Sequence, residues 1–228
     1  DGNLVRSMDL LLPSPLLTTF AGMGTTATAP APGFGDGTTT GYGAVLNAPS
    51  HLAVDPSGTW LYLVDSGLPR FRRISLPFGG SIEGVHSPPS SSCKPVGCTG
   101  DGYNYDCAMA FDAAQNLYVS YPIGVSGGCV TRPATVFRVG SGGTVTAVAG
   151  GGTSTGEGGS ALGAQLSGTI SALHFDQAGN LYILERYAHR LRRVEAGVGR
   201  ILTVAGTGVA GSGGDGLDAR LMQFNAPW

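Results

Sequence analysis

The sequence is poor in charge and almost without lysine. Charged residues make up 12% of its 228 residues, Lys94 is the only lysine, and the formal net charge is −2. Proteins that bind nucleic acids or anionic membrane surfaces usually do so through clustered positive charge. We therefore expect neither a nucleic acid partner nor insertion into a membrane.

Long apolar runs are also missing. No stretch approaches the roughly 20 apolar residues that a membrane span requires. The chain begins at Asp1 and shows no basic segment followed by an apolar one, which is the pattern of a signal peptide. We expect either a mature secreted product or a piece of a longer protein.

Signatures of common catalytic sites are absent as well. The pattern G-x-S-x-G occurs at 124–128 and at 152–156, but neither of these segments nor any other glycine-rich segment leads from a predicted strand into a helix, as a nucleophile elbow or a phosphate-binding loop would. It has no Asn-x-Ser/Thr acceptor, which excludes N-linked glycosylation. These absences predict a protein without catalytic residues, bound metal or cofactor.

Glycine and proline, by contrast, are abundant. The chain has 39 glycines and 14 prolines, yet 42% of its residues are hydrophobic. This balance is typical of a folded chain with many turns and short strands rather than of a disordered one. The length suits a single all-β domain.

Three segments of the chain repeat the same order of motifs. Each has an apolar stretch that ends in aspartate, then a short turn and a Leu-Tyr pair; the pairs lie at 61–62, 117–118 and 181–182. An apolar motif that contains threonine and ends in Ala-Gly recurs at 18–22, 146–150 and 202–206. Such self-similarity at intervals of tens of residues indicates a repeat architecture.

Each repeat predicts four short antiparallel strands. The first strand ends at Asp55, Asp112 or Asp176, and the second carries the Leu-Tyr pair. The third reads FRRIS, VFRVG or LRRVE, and the fourth is the Ala-Gly motif. Four-stranded antiparallel sheets repeated in a fixed order are typical of β-propeller blades.

Two segments, 172–194 and 202–228, resemble the NHL repeat, which reads approximately VAGTG…GDG…A.L..P.GvAvD..GnLYiaD..n.riRrv. The resemblance implies an all-β propeller of four-stranded blades, which closes with about six blades. About three and a half blades are expected here, within a larger propeller. The enlarged segment 81–106 departs from the pattern. We expect one propeller segment, 1–228, made of the end of a preceding blade (1–25), three blades (44–86, 107–150 and 170–206), a Cys-rich insertion (87–106) and a link into a following blade (207–228).

The four cysteines are Cys93, Cys98, Cys107 and Cys129, an even number with no CxxC pair. This pattern favours disulfides over free thiols or metal ligands. Three pairings are possible, and we expect Cys93–Cys98 with Cys107–Cys129. Disulfides in turn favour an extracellular or cell-surface location.

Two tracts that contain proline point to the same location. SPPSSS at 87–92 resembles hydroxyproline glycosylation modules of plant and green-algal cell-wall proteins, and TATAPAP at 26–32 resembles the modules of arabinogalactan proteins. Ordinary flexible loops are the alternative. The candidates for O-glycosylation or proline hydroxylation are Pro30, Pro32, Pro88, Pro89, Ser90, Ser91 and Ser92.

The four histidines do not predict a metal site. A related propeller family of peptide-amidating lyases holds a central metal with a ring of histidines, and His51 and His174 lie at similar repeat positions, but two histidines are too few. We expect His51 to precede a strand, His174 to pack within one, His189 to have a structural role before a third strand and His86 to lie in an irregular linker.

Loop aspartates and strand arginines also have structural interpretations. The Gly-Asp-Gly aspartates Asp36, Asp101 and Asp215 are compatible with calcium, but single carboxylates one blade apart are expected to form turns. On or next to the third strands, arginines are expected to face solvent or to pair with acidic residues of neighbouring turns. They are Arg70, Arg72, Arg73, Arg186, Arg190, Arg192 and Arg193.

These observations favour a non-enzymatic extracellular module that binds protein or glycan, or assembles with the remaining segments of a larger surface or matrix glycoprotein. The alternative is a propeller-scaffold enzyme, a metal-dependent lyase or a lactonase-like hydrolase, whose site is completed by blades outside this chain. A fold alone does not decide between them.

Overall fold

Short β-strands are the main regular secondary structure of the described residues. These residues hold fourteen strands and two 3₁₀ turns, at Ala161–Gly163 and Ala219–Leu221. Neither turn is long or apolar enough to cross a membrane, and no other helix lies in the described part of the chain. The computed structural model describes residues 3–8, 17–22, 44–47, 49–65, 70–76, 80–86, 107–122, 133–140, 143–155, 157–216 and 218–228.

The strands belong to two compact units, Asp1–Ser87 and Pro88–Trp228. The first unit holds a two-stranded antiparallel sheet and a four-stranded antiparallel sheet, each with neighbouring strands in chain order. The strands of the two-stranded sheet are β1 (Val5–Met8) and β2 (Leu17–Ala21). Those of the four-stranded sheet are β3 (Pro49–Val54), β4 (Trp60–Asp65), β5 (Arg70–Ser75) and β6 (Ile82–His86).

The second unit holds two four-stranded antiparallel sheets, again with neighbouring strands in chain order. One contains β7 (Met109–Phe111), β8 (Leu117–Pro122), β9 (Ala134–Val139) and β10 (Val145–Gly150). The other contains β11 (Ile170–Phe175), β12 (Leu181–Glu185), β13 (Arg190–Val194) and β14 (Ile201–Ala205). The Leu-Tyr pairs therefore mark the second strand of each four-stranded sheet, as the repeats predict.

Each unit has its own apolar core, formed where its two sheets face one another. In the first unit Val5 and Phe20 of the two-stranded sheet pack with Leu63 and Ile74 of the four-stranded sheet. Val136 and Ile183 belong to the corresponding core of the second unit. Both cores also contain a fully or almost fully buried leucine from the segment that leads into a first strand. These leucines are Leu46 and Leu166.

A glycine terminates most of the fourth strands for a steric reason. Gly22, Gly150 and Gly206 have φ values of +99°, +82° and +88°. A Cβ at any of them would overlap a backbone carbonyl oxygen near the start of the neighbouring strand. The repeated Ala-Gly motif thus marks a close approach of two backbones that only glycine allows.

The sheet β3–β6 ends differently. Its fourth strand reads IEGVH and lacks the Ala-Gly ending. The expectation that His86 lies in an irregular linker is wrong, because His86 is the last residue of β6, where its ring stacks on Phe71 at a centroid distance of 6.1 Å. Pairing with β5 extends the strand to this position although the local sequence lacks the motif.

An aspartate organises the turn between the first and second strands of every four-stranded sheet. Asp112 Oδ1 accepts a hydrogen bond from the backbone N–H of Asn116 at 2.8 Å, and Asp112 Oδ2 accepts one from the Asn116 side-chain amide at 2.7 Å. Asp55 and Asp176 accept backbone N–H bonds in their own turns. These acceptors explain why the aspartate recurs where each first strand ends.

The substitution Asp112→Asn is expected to reveal this turn as pH-sensitive. Burial by itself raises the pKa of Asp112, but hydrogen bonds from Asn116 and Tyr118 outweigh it and leave the pKa below its ordinary value of 3.8. The stabilisation is therefore present above that ordinary pKa and is lost as the pH falls through the lowered one. We expect the variant to lose about 1 kcal/mol of unfolding free energy at pH 7.

Urea unfolding at a series of pH values measures this difference. The gap between wild type and variant should narrow as the pH falls below 3.8. Asp215→Asn, which alters an exposed loop acid, is the matched control and should change the free energy by less than about 0.5 kcal/mol. A gap that stays constant with pH contradicts the assignment to the Asp112 carboxylate.

Candidate functional site

The polar centre of the sheet β3–β6 is a buried ion pair at the end of its second strand. Asp65 and Arg72 have no solvent-exposed surface, and Asp65 Oδ2 lies 3.0 Å from Arg72 Nη1. The other carboxylate oxygen accepts a hydrogen bond from the backbone N–H of Asn47 at 2.6 Å. Arg72 Nη1 also donates to the carbonyl oxygen of Val45 at 2.7 Å. Through these two hydrogen bonds the ion pair holds the backbone just before β3 against the sheet.

Glu185 holds the equivalent position in the sheet β11–β14. Its Oε1 accepts a hydrogen bond from the backbone N–H of Ser167 at 2.6 Å, and its Oε2 lies 2.7 Å from Arg190 Nε. Arg192 is fully buried, with Nη2 at 3.4 Å from Oε1 of Glu157. Burial lowers the pKa of Arg192 and Arg190 lowers it further, while Glu185 and Glu157 oppose them.

The middle sheet, β7–β10, replaces both charges with aromatic rings. Strand pairing places Tyr121 where the other sheets have Asp65 or Glu185, and Phe137 where they have a buried arginine. The two rings stack at a centroid distance of 4.7 Å with an interplanar angle of 20°. Burial raises the pKa of Tyr121 to about 12, so this position stays uncharged. The side chains at these two positions thus serve packing, either as an ion pair or as a pair of aromatic rings.

The arginine clusters lie at the predicted strands, and the expectation for their partners is confirmed in part, since Arg193 pairs with Glu195, just beyond its strand, at 3.0 Å. Arg72 and Arg192 are buried instead of facing solvent. Arg73, next to Arg72 in β5, pairs with Glu83 at 2.8 Å. Glu83 lies on a strand and not in a turn, as does Asp65, the partner of Arg72. Asp65 and Glu83 lie on strands next to β5, because cross-strand positions bring long side chains together.

A shallow cleft beside β14 collects further charges. Glu157 lies within it, where its carboxylate accepts a 2.7 Å hydrogen bond from the Thr203 hydroxyl. The two arginines that line the cleft already have carboxylate partners. Arg190 pairs with Glu185, and Arg220 pairs with Asp218 at 2.8 Å. Among the described residues the cleft therefore offers no arginine without a carboxylate.

The other three histidines lie on strands or in a turn. His174 is exposed on β11, so the expectation of a packed strand residue is wrong. His51 lies within β3 at a bulge and has φ of +44°, rather than preceding the strand. His189 lies in a turn, where its Nδ1 accepts a hydrogen bond from the backbone N–H of Ala226 at 3.1 Å. In the described ranges no group of three or more His, Cys, Asp or Glu side chains is placed to hold a metal.

Most residues of the remaining sequence predictions lie outside the described part of the chain. Cys107 is described; it is buried and disulfide-bonded. Asp215 is exposed in its loop. The pairing of the cysteines stays a prediction. The residues outside the described ranges are Cys93, Cys98, Cys129, Asp36, Asp101 and the modification candidates Pro30, Pro32, Pro88, Pro89, Ser90, Ser91 and Ser92.

A second candidate surface lies in the first unit, where apolar side chains of β3 face solvent. Leu52 and Val54 of β3 are 55% and 54% exposed. Strand pairing makes Leu173 and Phe175 of β11 their equivalents. Leu173 is only 7% exposed, and Phe175 packs against the core between the two sheets of its unit. We call Leu52 and Val54 the β3 apolar face.

Comparisons with known proteins identify the fold and not the family. No protein-family model matches the sequence, and no curated protein does. Among solved structures, a protein of unknown function from Bacteroides thetaiotaomicron has 20% identity and a TM-score of 0.59 over 80% of this chain and 41% of its own. An auxiliary nutrient binding protein from the same species has 16% identity and a TM-score of 0.51, covering 78% of this chain and 41% of its own. A Bacteroides ovatus protein of the same description has 16% identity and a TM-score of 0.50, covering 81% of this chain and 43% of its own.

The chain thus spans less than half the length of these structures. At such identities the likeness concerns architecture, which is that of a β-propeller. The described residues form three four-stranded sheets and one two-stranded sheet, so the chain is a partial β-propeller, as the repeats predict.

Proposed function

We propose that this chain is a non-enzymatic binding or assembly module, built from NHL-type repeats, within a larger extracellular surface or matrix glycoprotein. The observation that carries the proposal is the β3 apolar face. Its side chains are more than half exposed, whereas the equivalent Leu173 is 7% exposed because a neighbouring sheet covers it. An apolar surface on a sheet that is covered elsewhere in the same fold is a typical site of association.

The chemistry of the described acidic residues supports a non-enzymatic role. Asp65 and Glu185, the fully buried carboxylates, are each held by an arginine and by a backbone N–H. Groups held in this way stabilise the fold and have little freedom to bind a substrate. The repeats themselves support the NHL assignment, and the clustered cysteines support the extracellular location.

The substitution Leu52→Asp tests the binding surface. We expect the wild-type chain to associate at micromolar concentration through the β3 apolar face, because burying apolar area gains about 25 cal/mol per Å². A carboxylate there should weaken association by at least about tenfold, since burying an unpaired charge is costly. Sedimentation velocity over a range of protein concentrations measures the effect.

The matched control is Val198→Asp, since Val198 is also exposed, at 72%, but lies in a turn of the second unit. It should sediment like the wild type. Identical sedimentation of Leu52→Asp and wild type at every concentration contradicts the proposed function.

A further inference from the structure

The segment between β10 and β11 covers the outer edge of the sheet β11–β14. The backbone N–H of Gly158 donates to the carbonyl oxygen of Ile201 at 2.9 Å, and the N–H of Ile201 donates to the carbonyl oxygen of Gly159 at 3.0 Å. The N–H of Ala161 makes a third bond, at 2.8 Å, to the turn before β14. We call residues 157–161 the edge strap. It pairs backbone groups that an outermost strand would otherwise leave open to another chain.

The side chain of Glu157 continues this cover along β14. Its Oε2 accepts a hydrogen bond from the backbone N–H of Thr203, two residues beyond Ile201 on the same edge. Its Oε1 accepts the 2.7 Å hydrogen bond from the Thr203 hydroxyl and lies 3.4 Å from Nη2 of Arg192. The carboxylate thus stands where the carbonyl oxygen of an added strand would bind the Thr203 N–H.

The carboxylate of Glu157 is charged at neutral pH. Burial by itself raises its pKa, but hydrogen bonds from Thr203 and the charges of Arg192 and Arg190 outweigh burial and hold the pKa below its ordinary value of 4.5. A charged acceptor makes a stronger hydrogen bond to a backbone N–H than a neutral acceptor does. We therefore expect Glu157 to make the strongest single contact of the edge strap.

Apart from Glu157, little holds the edge strap in place. Residues 157–160 are exposed, two of them are glycines, and Ala161 is the only buried residue of the strap. Segments that bury little apolar surface open locally at a lower free energy than the core of the same domain. Release of Glu157 would leave the strap with backbone hydrogen bonds and one small buried side chain. We therefore call Glu157 the latch of the strap.

The strand beneath the edge strap has a sequence that pairs easily. β14 reads ILTVA, which contains neither a charge nor a proline, and three of its five residues are β-branched. Short uncharged segments of high β propensity associate with other strands when their edge is open. Two identical edges can pair antiparallel around a two-fold axis, so a second copy of this chain carries the matching edge.

We propose that the edge strap is an autoinhibitory element that keeps β14 from pairing with β14 of a second copy, and that Glu157 is its latch. When the strap is open, the two strands pair antiparallel and join the four-stranded sheets of the two copies into one. This contact differs from the β3 apolar face and does not depend on the proposed function.

The substitution Glu157→Ala, made in a Leu52→Asp parent that lacks the β3 apolar face, tests the latch. At concentrations where the chain is monomeric, the Ile201 and Thr203 amides should exchange hydrogen at least about tenfold faster than in the parent, because local opening becomes easier. Two-dimensional NMR measures these rates. The amide of Ile183, on a strand paired on both sides, should keep its rate, which excludes general unfolding.

Raising the protein concentration tests the pairing. Sedimentation velocity should show a dimer of Glu157→Ala at concentrations where the parent is a monomer, and the Ile201 and Thr203 amides should become protected again as the dimer forms. Thr203→Val removes one hydrogen bond of the latch but leaves Arg192 its carboxylate, and it should speed exchange by about threefold. This second variant decides the result if Glu157→Ala unfolds the unit.

Asp218→Ala is the matched control, because Asp218 is also bound by an arginine and its side chain is 46% exposed, against 48% for Glu157. It should change neither exchange nor sedimentation. Unchanged exchange at Ile201 and Thr203 in both latch variants overturns the role of Glu157. Faster exchange without a dimer, or a dimer that leaves these amides unprotected, overturns the pairing of β14 with a second copy.

Discussion

Replacing Arg72 with phenylalanine is expected to lower the free energy of unfolding of the first unit by about 3–5 kcal/mol. The substitution leaves the Asp65 carboxylate fully buried without its guanidinium partner, and breaking one side of a buried ion pair has a cost of this size. In a Trp228→Phe background, Trp60 of β4 is the only tryptophan and reports on the sheet that contains the pair. Urea unfolding followed by its fluorescence measures the loss.

The middle sheet supplies the compensating change. Because Tyr121 and Phe137 occupy the same two positions there, the double substitution Asp65→Tyr with Arg72→Phe should recover at least half of the loss. Arg73→Gln, in the same strand but at a partly exposed ion pair, should cost about 1 kcal/mol or less. If Arg72→Phe costs no more than Arg73→Gln, the ion pair does not stabilise the unit as described.

The substitution Gly206→Ala is the second change with a large expected effect, about 3 kcal/mol or more of unfolding free energy. Gly206 has φ of +88°, and a Cβ there would overlap the carbonyl oxygen of His189 and crowd Arg190. The backbone has to move or the strands have to separate, and both are costly. Urea unfolding followed by Trp228 fluorescence, in a Trp60→Phe background, measures the effect in the second unit.

A second glycine separates the steric overlap from the strain of positive φ. Gly197 has φ of +71°, but a Cβ added there would have no other atom within 4 Å. Gly197→Ala should therefore cost only the strain of the left-handed backbone, about 1–2 kcal/mol. Equal losses at Gly197 and Gly206 would show that the close approach to His189 does not matter.

The repeats predicted the fold well because the relevant signals are local. Leu-Tyr pairs and turn aspartates lie next to the bonds that they form, so their spacing fixes the first two strands of each sheet. The strand β6 carries no such local signal. Its residues IEGVH resemble neither an Ala-Gly motif nor a regular alternation, and pairing with β5 forms the strand.

The candidate sites were harder to predict, since they depend on residues far apart in the chain. Burial of Arg72 requires an acid seven positions away on another strand and a carbonyl 27 positions away. The exposure of Leu52 depends on which strands lie opposite β3, which no local pattern reports.

The exchange of an acid and an arginine for two aromatic rings also bears on how such repeats diverge after duplication. A lineage that replaces only the acid or only the arginine first passes through a protein with an isolated buried charge. That protein loses unfolding free energy, as expected for Arg72→Phe. Coupled replacement avoids that step. Descendant blades should therefore fall into two discrete kinds at these positions, charged or aromatic, with few mixtures, even where the rest of their sequences has drifted apart.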